Sequence, residues 1–204
     1  SRVGGRMTIE TAVARQSEAK RWATVAIVMG CGIGAALQVG KVPIAASMLQ
    51  QNLGVDLAAV GSVGGIFAVL GAGFAIGYLN RPDAWYAALN KAAFNPPNWV
   101  FAPAWSIIYL LIAIAGWRVW ERGLRISRRI WLTQLALNFA WSPIFFSFHR
   151  PGTALAVILA LLSAIVIFQV TTWKADKVSA ILFAPYACWV AFASLLNVEM
   201  VRLN

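Results

Sequence analysis

PGTALAVILALLSAIVIFQVTTW, the stretch from Pro151 to Trp173, carries no charged side chain along its whole length. An α-helix rises about 1.5 Å per residue, so about 20 mainly apolar residues cross the hydrocarbon of a bilayer. Comparable uncharged stretches occur at Trp22–Gly40, Leu57–Asn80, Ala92–Trp117, Ile130–Phe148 and Val178–Val198. Only 12% of all residues are charged, against about 25% in ordinary soluble domains. The sequence therefore predicts an all-α, multi-pass integral membrane protein.

The basic residues indicate how many of these stretches cross the membrane, because cytoplasmic loops carry an excess of Lys and Arg. If every stretch crosses, nine basic residues lie on one side and eight on the other. If Trp22–Gly40 does not cross, the division becomes thirteen to four. The charges therefore favour a five-helix bundle with the Arg118–Arg129 loop in the cytoplasm. The hydropathy of residues 22–40 favours a crossing, so three placements stay open for this segment: interfacial, re-entrant or a sixth span.

Three parts of the chain follow from these boundaries. They are a polar N-terminal tail at 1–21, an extra apolar helix with its connector at 22–56, and a five-helix domain at 57–204. The domain opens with two pairs of glycines at small-xxx-small spacing: Gly61, Gly65, Gly73 and Gly77. Such pairs let another helix approach closely, either within the bundle or across a homodimer contact.

Aromatic, amide and proline residues are concentrated in three blocks of these apolar helices: Trp85–Tyr109, Gln134–Phe146 and Pro185–Asn197. Pro103, Pro143 and Pro185 lie inside or just within helices, where each removes a backbone hydrogen bond and opens space beside the helix. An amide that faces lipid costs about 1 to several kcal/mol, so the amides of these blocks should face the bundle interior. The blocks are therefore the predicted functional region.

Helical spacing arranges the members of the blocks in stripes. The stripes are Trp105 with Tyr109; Gln134 with Asn138 and Trp141; and Tyr186 with Trp189, Ala193 and Asn197. Flat apolar walls with a few hydrogen-bonding groups are typical of a small-molecule pocket. Two other interpretations stay open: Trp105, Trp141 and Trp189 can equally be core packing, and Asn138 can simply tie two helices together.

Six other tryptophans lie near the predicted ends of spans: Trp22, Trp99, Trp117, Trp120, Trp131 and Trp173. Tryptophan is enriched at both membrane interfaces. We therefore predict that these six anchor the bundle in the headgroup region.

Catalytic chemistry and nucleic-acid binding find little support. His149 is the only histidine, and Cys31 and Cys188 are too few and too far apart for a metal site, so no catalytic residue and no metal ligand is predicted. The seven acidic residues include no clear mid-span carboxylate of the kind that ion-coupled pumps use. The basic residues lie between spans rather than on a soluble face. Binding is therefore favoured over turnover.

The motifs WYxxLNKxxFNPPxWVFxPxW, QLxxNxxWSPxFF and PYxxWxxFxxxLN begin at Trp85, Gln134 and Pro185. In this order they resemble the tryptophan-rich sensory protein family, also called translocator protein or peripheral-type benzodiazepine receptor, over about residues 61–204. The resemblance implies a five-helix bundle, commonly dimeric, that binds protoporphyrin and related tetrapyrroles, with sterol and drug-like ligands in animal members. Light-dependent porphyrin breakdown, reported for some members, is also implied as an activity to test.

The resemblance also implies a site, carried over by position. Its ligand-binding residues would be Trp105, Tyr109, Asn138, Trp141, Tyr186, Trp189, Ala193 and Asn197. The lid over them would be the first loop of the domain, with Trp85, Lys91, Phe94, Pro96 and Pro97. The chain departs from the family pattern where Val198 replaces an aromatic residue of the sterol motif, and where Ala92 replaces a proline of the lid.

The residues before the domain are outside the family pattern. Gly40–Ala72 loosely resembles the opening helices of major facilitator transporters, and the run that follows Lys20 and Arg21 resembles a signal peptide. A role in docking to a larger complex is one function for this extension.

These observations lead to a prediction about function. The chain is expected to bind a tetrapyrrole between its helices and to act in porphyrin sensing, transport or buffering, with no obligatory cofactor, in a bacterial membrane and as a homodimer. The alternative is a structural or accessory subunit of a larger photosynthetic or respiratory membrane complex, in which lipid or pigment fills the pocket.

Overall fold

A computed structural model describes the backbone of residues 57–204 and the side chains of residues 64–204. Several predictions lie outside this part of the chain. They concern the tail at 1–21, the segment at 22–56 with Trp22 and Cys31, and the helix packing at Gly61.

The described chain is built from helices joined by short turns. They are α1 (Leu57–Leu79), α2 (Ala84–Ala88), α3 (Phe101–Glu121), α4 (Arg125–Ser142), α5 (Pro151–Trp173), α6 (Lys177–Leu182) and α7 (Ala184–Leu203). A 3₁₀ turn at Asn98–Val100 leads into α3, and a π-helical turn at Pro143–Ser147 extends α4. Residues 57–204 include no β-strand. The predicted all-α membrane fold is confirmed.

By length and composition alone, three of the described helical segments can cross a membrane: Asn98–Glu121, Pro151–Trp173 and Lys177–Leu203. The described part of α1, Gly64–Leu79, is a shorter apolar helix. The segment predicted at Ile130–Phe148 is less apolar, because Gln134 and Asn138 interrupt it and arginines begin its helix. It nevertheless packs inside the bundle, where α4 lies against α5 and α3.

The bundle buries one continuous apolar core and leaves an apolar perimeter. α5 packs between α4 and α7, while α3 packs against α1 and α6. The core includes Ile112, Leu135, Phe139, Ile165 and Phe168, all fully buried. Large apolar side chains also lie exposed on the outside: Phe67, Ile107, Val166 and Val170. A helix that is apolar on all sides is either buried in a large protein or spans a membrane, and these exposed apolar side chains fit a membrane-spanning bundle.

Glycines set how closely two pairs of helices approach. A Cβ atom on Gly73 would lie 2.5 Å from the ring of Tyr109, and one on Gly116 would lie 2.5 Å from the ring of Trp131. These glycines therefore admit an aromatic ring from the neighbouring helix. For Gly73 the bundle-packing interpretation holds, whereas a Cβ on Gly77 would meet nothing within 4 Å.

The prediction that Trp131 anchors the bundle at the membrane interface is wrong. Trp131 is 1% exposed, and its indole N–H donates a hydrogen bond to the carbonyl oxygen of Ile112 at 2.9 Å. It lies in the core because Gly116 leaves room for its ring on the facing helix α3. Trp99 and Trp173, at 73% and 49% exposed, do lie on the surface.

The prolines mark irregular points of the helices. Pro143 begins the π-helical turn, and Pro185 lies in the first turn of α7, directly after the break at Phe183 that separates it from α6. Pro103 lies in the first turn of α3, where no intrahelical hydrogen bond is lost. The short turn between α4 and α5 passes through His149, whose φ of 54° is a left-handed conformation.

Candidate ligand-binding site

A buried hydrogen-bonded chain joins three helices at the centre of the predicted site. The Tyr109 hydroxyl on α3 donates to Asn138 Oδ1 on α4 at 2.8 Å, and Asn138 Nδ2 donates to the Tyr186 hydroxyl on α7 at 2.8 Å. That hydroxyl donates in turn to Gln134 Oε1 at 3.0 Å. The four residues are all buried. One or two members of each stripe predicted from spacing therefore meet in the interior, and Asn138 does tie helices together.

One donor of this chain is left over. Gln134 Nε2 is buried and has no hydrogen-bond partner among the described residues. An unpaired buried donor costs about 1–3 kcal/mol. The network is therefore complete except at the amide of Gln134.

Trp105 covers the network on the α3 side. Its ring centroid lies 5.4 Å from that of Tyr109 and 6.5 Å from that of Tyr186, edge to face. The ring is only half-buried. Trp105 thus presents an aromatic face beside the polar chain.

Trp189 lies on α7 among phenylalanine rings. Its centroid is 5.8 Å from Phe101 at the start of α3 and 6.0 Å from Phe192 on its own helix. The indole N–H is buried and has no partner in the described part of the chain. Ala193, one turn later, is half-buried and packs against the core. Trp189 therefore combines an aromatic surface with an unpaired donor.

Trp141 and Asn197 are bonded to each other rather than to the central chain. The Trp141 indole N–H donates to Asn197 Oδ1 at 3.1 Å, and Asn197 Nδ2 donates to the carbonyl oxygen of Pro151 at 2.9 Å. The Trp141 ring stacks on Phe145 of the π-helical turn at 5.2 Å. These two residues therefore form a separate pair that ties α4, α5 and α7.

The segment between α1 and α3, the predicted lid, is anchored to the α4–α5 turn. Asp83 caps the short helix α2, because its Oδ1 accepts a hydrogen bond from the Tyr86 N–H at 3.1 Å. Asp83 Oδ2 lies 2.9 Å from His149 Nε2, and the Trp85 ring stacks on the His149 ring at 4.2 Å. Trp85 also meets Phe145 edge to face at 6.0 Å. The first half of the lid is thus fixed by both a polar contact and ring contacts.

The second half of the lid is held by hydrogen bonds between side chains and backbone groups. Lys91 Nζ donates to the carbonyl oxygens of Ala87 and Leu89 and lies 4.8 Å above the Tyr86 ring. Asn90 and Asn204 exchange hydrogen bonds, which fastens the segment to the end of α7.

The last predicted lid residues lead into α3. The ring of Phe94 is exposed and lies 6.3 Å from that of Phe192. Pro96 is half-buried, and Pro97 directly precedes the 3₁₀ turn. Phe94 therefore brings the lid next to the ring group around Trp189.

These contacts shift the pKa values of two lid residues, Asp83 and Tyr86. The Tyr86 backbone N–H bonded to the carboxylate, helped by His149, holds the pKa of Asp83 below its usual value. Burial raises the pKa of the Tyr86 hydroxyl. At neutral pH Asp83 is therefore an anion and Tyr86 is neutral.

Sequence reasoning missed several members of this region. Phe101 and Phe192 flank Trp189, and Phe145 joins Trp85 to Trp141. All three phenylalanines stand within the quoted motifs, but nothing in their spacing separates them from ordinary apolar residues. Asp83 was identifiable in principle, since an Asp before a short helix is a typical N-cap.

The fold and these contacts define a multi-pass, all-α membrane protein whose interior carries tryptophan, tyrosine and amide side chains from three helices. Residues 65–203 match the model of the TspO/MBR family. The chain belongs to that family, which confirms the resemblance found in the motifs.

Curated relatives carry names of the same family. The Tryptophan-rich protein TspO of Archaeoglobus fulgidus is 40% identical over 147 residues, which cover 70% of this chain and 95% of the relative. The Tryptophan-rich sensory protein of Cereibacter sphaeroides is 39% identical over 138 residues, 67% of this chain and 87% of the relative. The human Translocator protein is 34% identical over 126 residues, 59% of this chain and 75% of the relative.

Proposed function

We propose that this protein binds a tetrapyrrole of the porphyrin type between the lid and helices α3, α4 and α7, and that it acts in sensing, transporting or buffering that ligand. Family membership supports a binding role, because relatives are named as a sensory protein and as a translocator protein. Trp105, Tyr109, Asn138, Tyr186 and Trp189 would line the site. The proposal also includes homodimer formation, as the family resemblance implies.

The observation that carries the proposal is that two of the three buried side-chain donors without partners in the described chain belong to the candidate site, the third being the N–H of Trp117. The Trp189 N–H and Gln134 Nε2 are buried without partners in the described chain, and each costs about 1–3 kcal/mol while unpaired. A ligand that supplies hydrogen-bond acceptors would remove this cost. A flat, conjugated ligand would also pack on the faces of Trp105 and Trp189, since aromatic rings favour stacked and edge-to-face contacts.

Titration of the purified protein with protoporphyrin, followed through the porphyrin's own absorbance, tests the proposal. The Trp189→Phe variant keeps an aromatic ring but removes the N–H donor together with part of the ring surface, so we expect at least roughly tenfold weaker binding. The double variant Trp105→Ala, Trp189→Ala should bind more weakly still. Trp173→Ala is the matched control, because Trp173 lies exposed at the far end of α5. Equal affinity of all four proteins for protoporphyrin would refute the proposal.

A role as a subunit of a larger membrane complex is the second candidate. The observation that favours it is that the family match begins at residue 65, so a long N-terminal extension lies outside the shared domain. In this case the site between the helices would hold lipid or pigment. Extraction in a mild detergent, followed by size analysis and pigment spectra, separates the two functions: a large pigmented complex supports the subunit, and a small particle that binds added protoporphyrin supports the tetrapyrrole protein.

A further inference from the structure

One end of the bundle carries a strong excess of positive charge. The end of α3, the start of α4 and the α5–α6 turn meet there, because successive long helices run in opposite directions. We call residues 118–129 and 174–177 the arginine end. It contains seven basic and two acidic residues, whereas the described residues of the opposite end, 80–97, 148–151 and 199–204, contain four basic and two acidic residues.

Most of the positive charge at the arginine end is not used for internal ion pairs. Asp176 accepts two hydrogen bonds from Arg118, at 3.0 and 2.8 Å, and lies 3.1 Å from Arg122. The other five basic residues have no carboxylate partner within residues 64–204; they are Arg125, Arg128, Arg129, Lys174 and Lys177. The carboxylate is therefore taken, and five cations are available to an external anion.

These five cations lie at the end of the bundle where α4 begins and α5 ends. The Thr172 hydroxyl on the last turn of α5 donates to the Ser127 hydroxyl on the first turn of α4 at 2.9 Å, and both groups are buried. This contact brings the first turn of α4, which carries Arg125 and Arg128, close to the end of α5; Lys174 directly follows α5, and Lys177 begins α6. Arg125, Arg129 and both lysines are exposed.

Two tryptophan rings accompany the cations. The Arg128 guanidinium lies 5.6 Å from the centre of the Trp120 ring, and Lys177 Nζ lies 5.2 Å from that of Trp173. Tryptophans at the ends of membrane helices lie at the level of the lipid headgroups. The cations beside them are therefore held at the depth of lipid phosphates.

At the opposite end, two of the four basic residues are bonded to partners within the protein. Arg202 pairs with Glu199 at 2.9 Å, and Lys91 Nζ is bonded to backbone carbonyls. The charge of Arg202 is therefore neutralised within the protein, and the ammonium group of Lys91 is held by backbone carbonyls.

We infer that the arginine end binds the headgroups of anionic phospholipids in the adjacent leaflet, with Arg125 and Arg129 as the principal contacts. Guanidinium groups bind phosphate oxygens in a two-pronged geometry, and basic residues near a membrane are attracted to its anionic lipids. Exposed apolar side chains, Ile126 and Val178, lie among the cations. A lipid rather than a soluble anion fits this mixture, because its acyl chains can cover the apolar residues while its phosphate meets the arginines.

The test compares lipid retention by the purified full chain after equilibration with mixed micelles of equal phosphatidylglycerol and phosphatidylcholine, measured by native mass spectrometry. The native chain should retain phosphatidylglycerol preferentially. In the double variant Arg125→Gln, Arg129→Gln, the ratio of retained phosphatidylglycerol to phosphatidylcholine should fall, on the order of fivefold for each arginine removed. The matched control, Arg81→Gln with Arg202→Gln, removes the same charge from the opposite end and should keep the preference.

Each contrary result is decisive. Equal retention of the two lipids by the native chain, or equal losses in the two double variants, would overturn the inference. Inorganic phosphate that displaces phosphatidylglycerol at similar concentration would identify a site for soluble anions instead. Salt provides a readout without any variant: if an about tenfold higher sodium chloride concentration leaves the preference unchanged, charge does not drive it.

Discussion

The imidazole Nε2 of His149 lies 2.9 Å from Oδ2 of Asp83, across 66 positions of sequence. The same carboxylate caps helix α2 through its other oxygen, and Trp85 stacks on the imidazole. One side chain thus both starts the lid helix and fastens it to the α4–α5 turn. This contact connects the lid of the candidate site to the helix that carries Asn138.

The first prediction concerns the pH dependence of this contact. The pKa of Asp83 is lowered in the folded protein, so its stabilising effect is present above its unfolded pKa of about 3.9 and is lost as the pH falls below that value. Asp83→Ala removes both the cap and the His149 contact at any pH. We expect faster deuterium uptake at Tyr86 and its neighbours in this variant at neutral pH.

Asp83→Asn separates the two roles, because asparagine still caps a helix but carries no charge for His149. It should show uptake between that of the native chain and that of Asp83→Ala. Uptake in Asp83→Ala equal to that of the native chain would show that the contact does not hold the lid.

The second prediction concerns the ion pair at the arginine end. The Asp176 side chain is 1% exposed. Burial alone would raise the pKa of Asp176, but the hydrogen bonds from Arg118 and Ser179 outweigh it and lower the pKa to about 2. The contribution of Asp176 to stability is therefore present above its unfolded pKa of about 3.9 and is lost as the pH falls towards 2.

Asp176→Asn should lower the free energy of unfolding by about 2–4 kcal/mol. The size of this loss lies below that of a fully buried pair because Arg122 stays 46% exposed. Thermal unfolding in detergent measures it. Glu121→Gln is the control, since Glu121 is exposed at the same end and should change the midpoint little. A loss in Asp176→Asn no larger than in this control would contradict a structural role for the pair.

The inward direction of the amides could be predicted from sequence alone. Gln134, Asn138 and Asn197 are all buried, because the cost of placing an amide in lipid decides its direction whatever its neighbours are. Helical spacing then predicted which residues lie on the same helix faces as these amides. The ligand-binding role of this group stays a prediction.

Other features depended on contacts that no local pattern records. Trp131 and Trp173 both lie at the end of a predicted span. Trp131 is nevertheless buried, because Gly116 on another helix leaves space for its ring. The division of the predicted site, with Trp141 bonded to Asn197 and Asn138 to the two tyrosines, depends on how the helices are rotated against each other.

The third prediction uses two glycines of one helix. Gly73→Ala places a methyl group against the Tyr109 ring, and overpacking of this kind costs about 1–3 kcal/mol. Gly77→Ala meets open space and should leave stability unchanged or slightly raised, because alanine favours helices over glycine. Unfolding midpoints in detergent give the comparison. Similar midpoints for the two variants would mean that α1 can move away from α3 at little cost.

The last prediction ranks the tyrosine hydroxyls by the number of partners that each would leave unpaired. Tyr186→Phe leaves both Asn138 Nδ2 and Gln134 Oε1 without a partner, while Tyr109→Phe frees only Asn138 Oδ1. An unpaired buried group costs about 1–3 kcal/mol. Tyr186→Phe should therefore destabilise the bundle about twice as much as Tyr109→Phe. Tyr78→Phe, at an exposed ring, should have no effect. Equal unfolding midpoints for Tyr186→Phe and Tyr78→Phe would show that water or lipid replaces the hydroxyl, and that the chain of hydrogen bonds does not hold the three helices together.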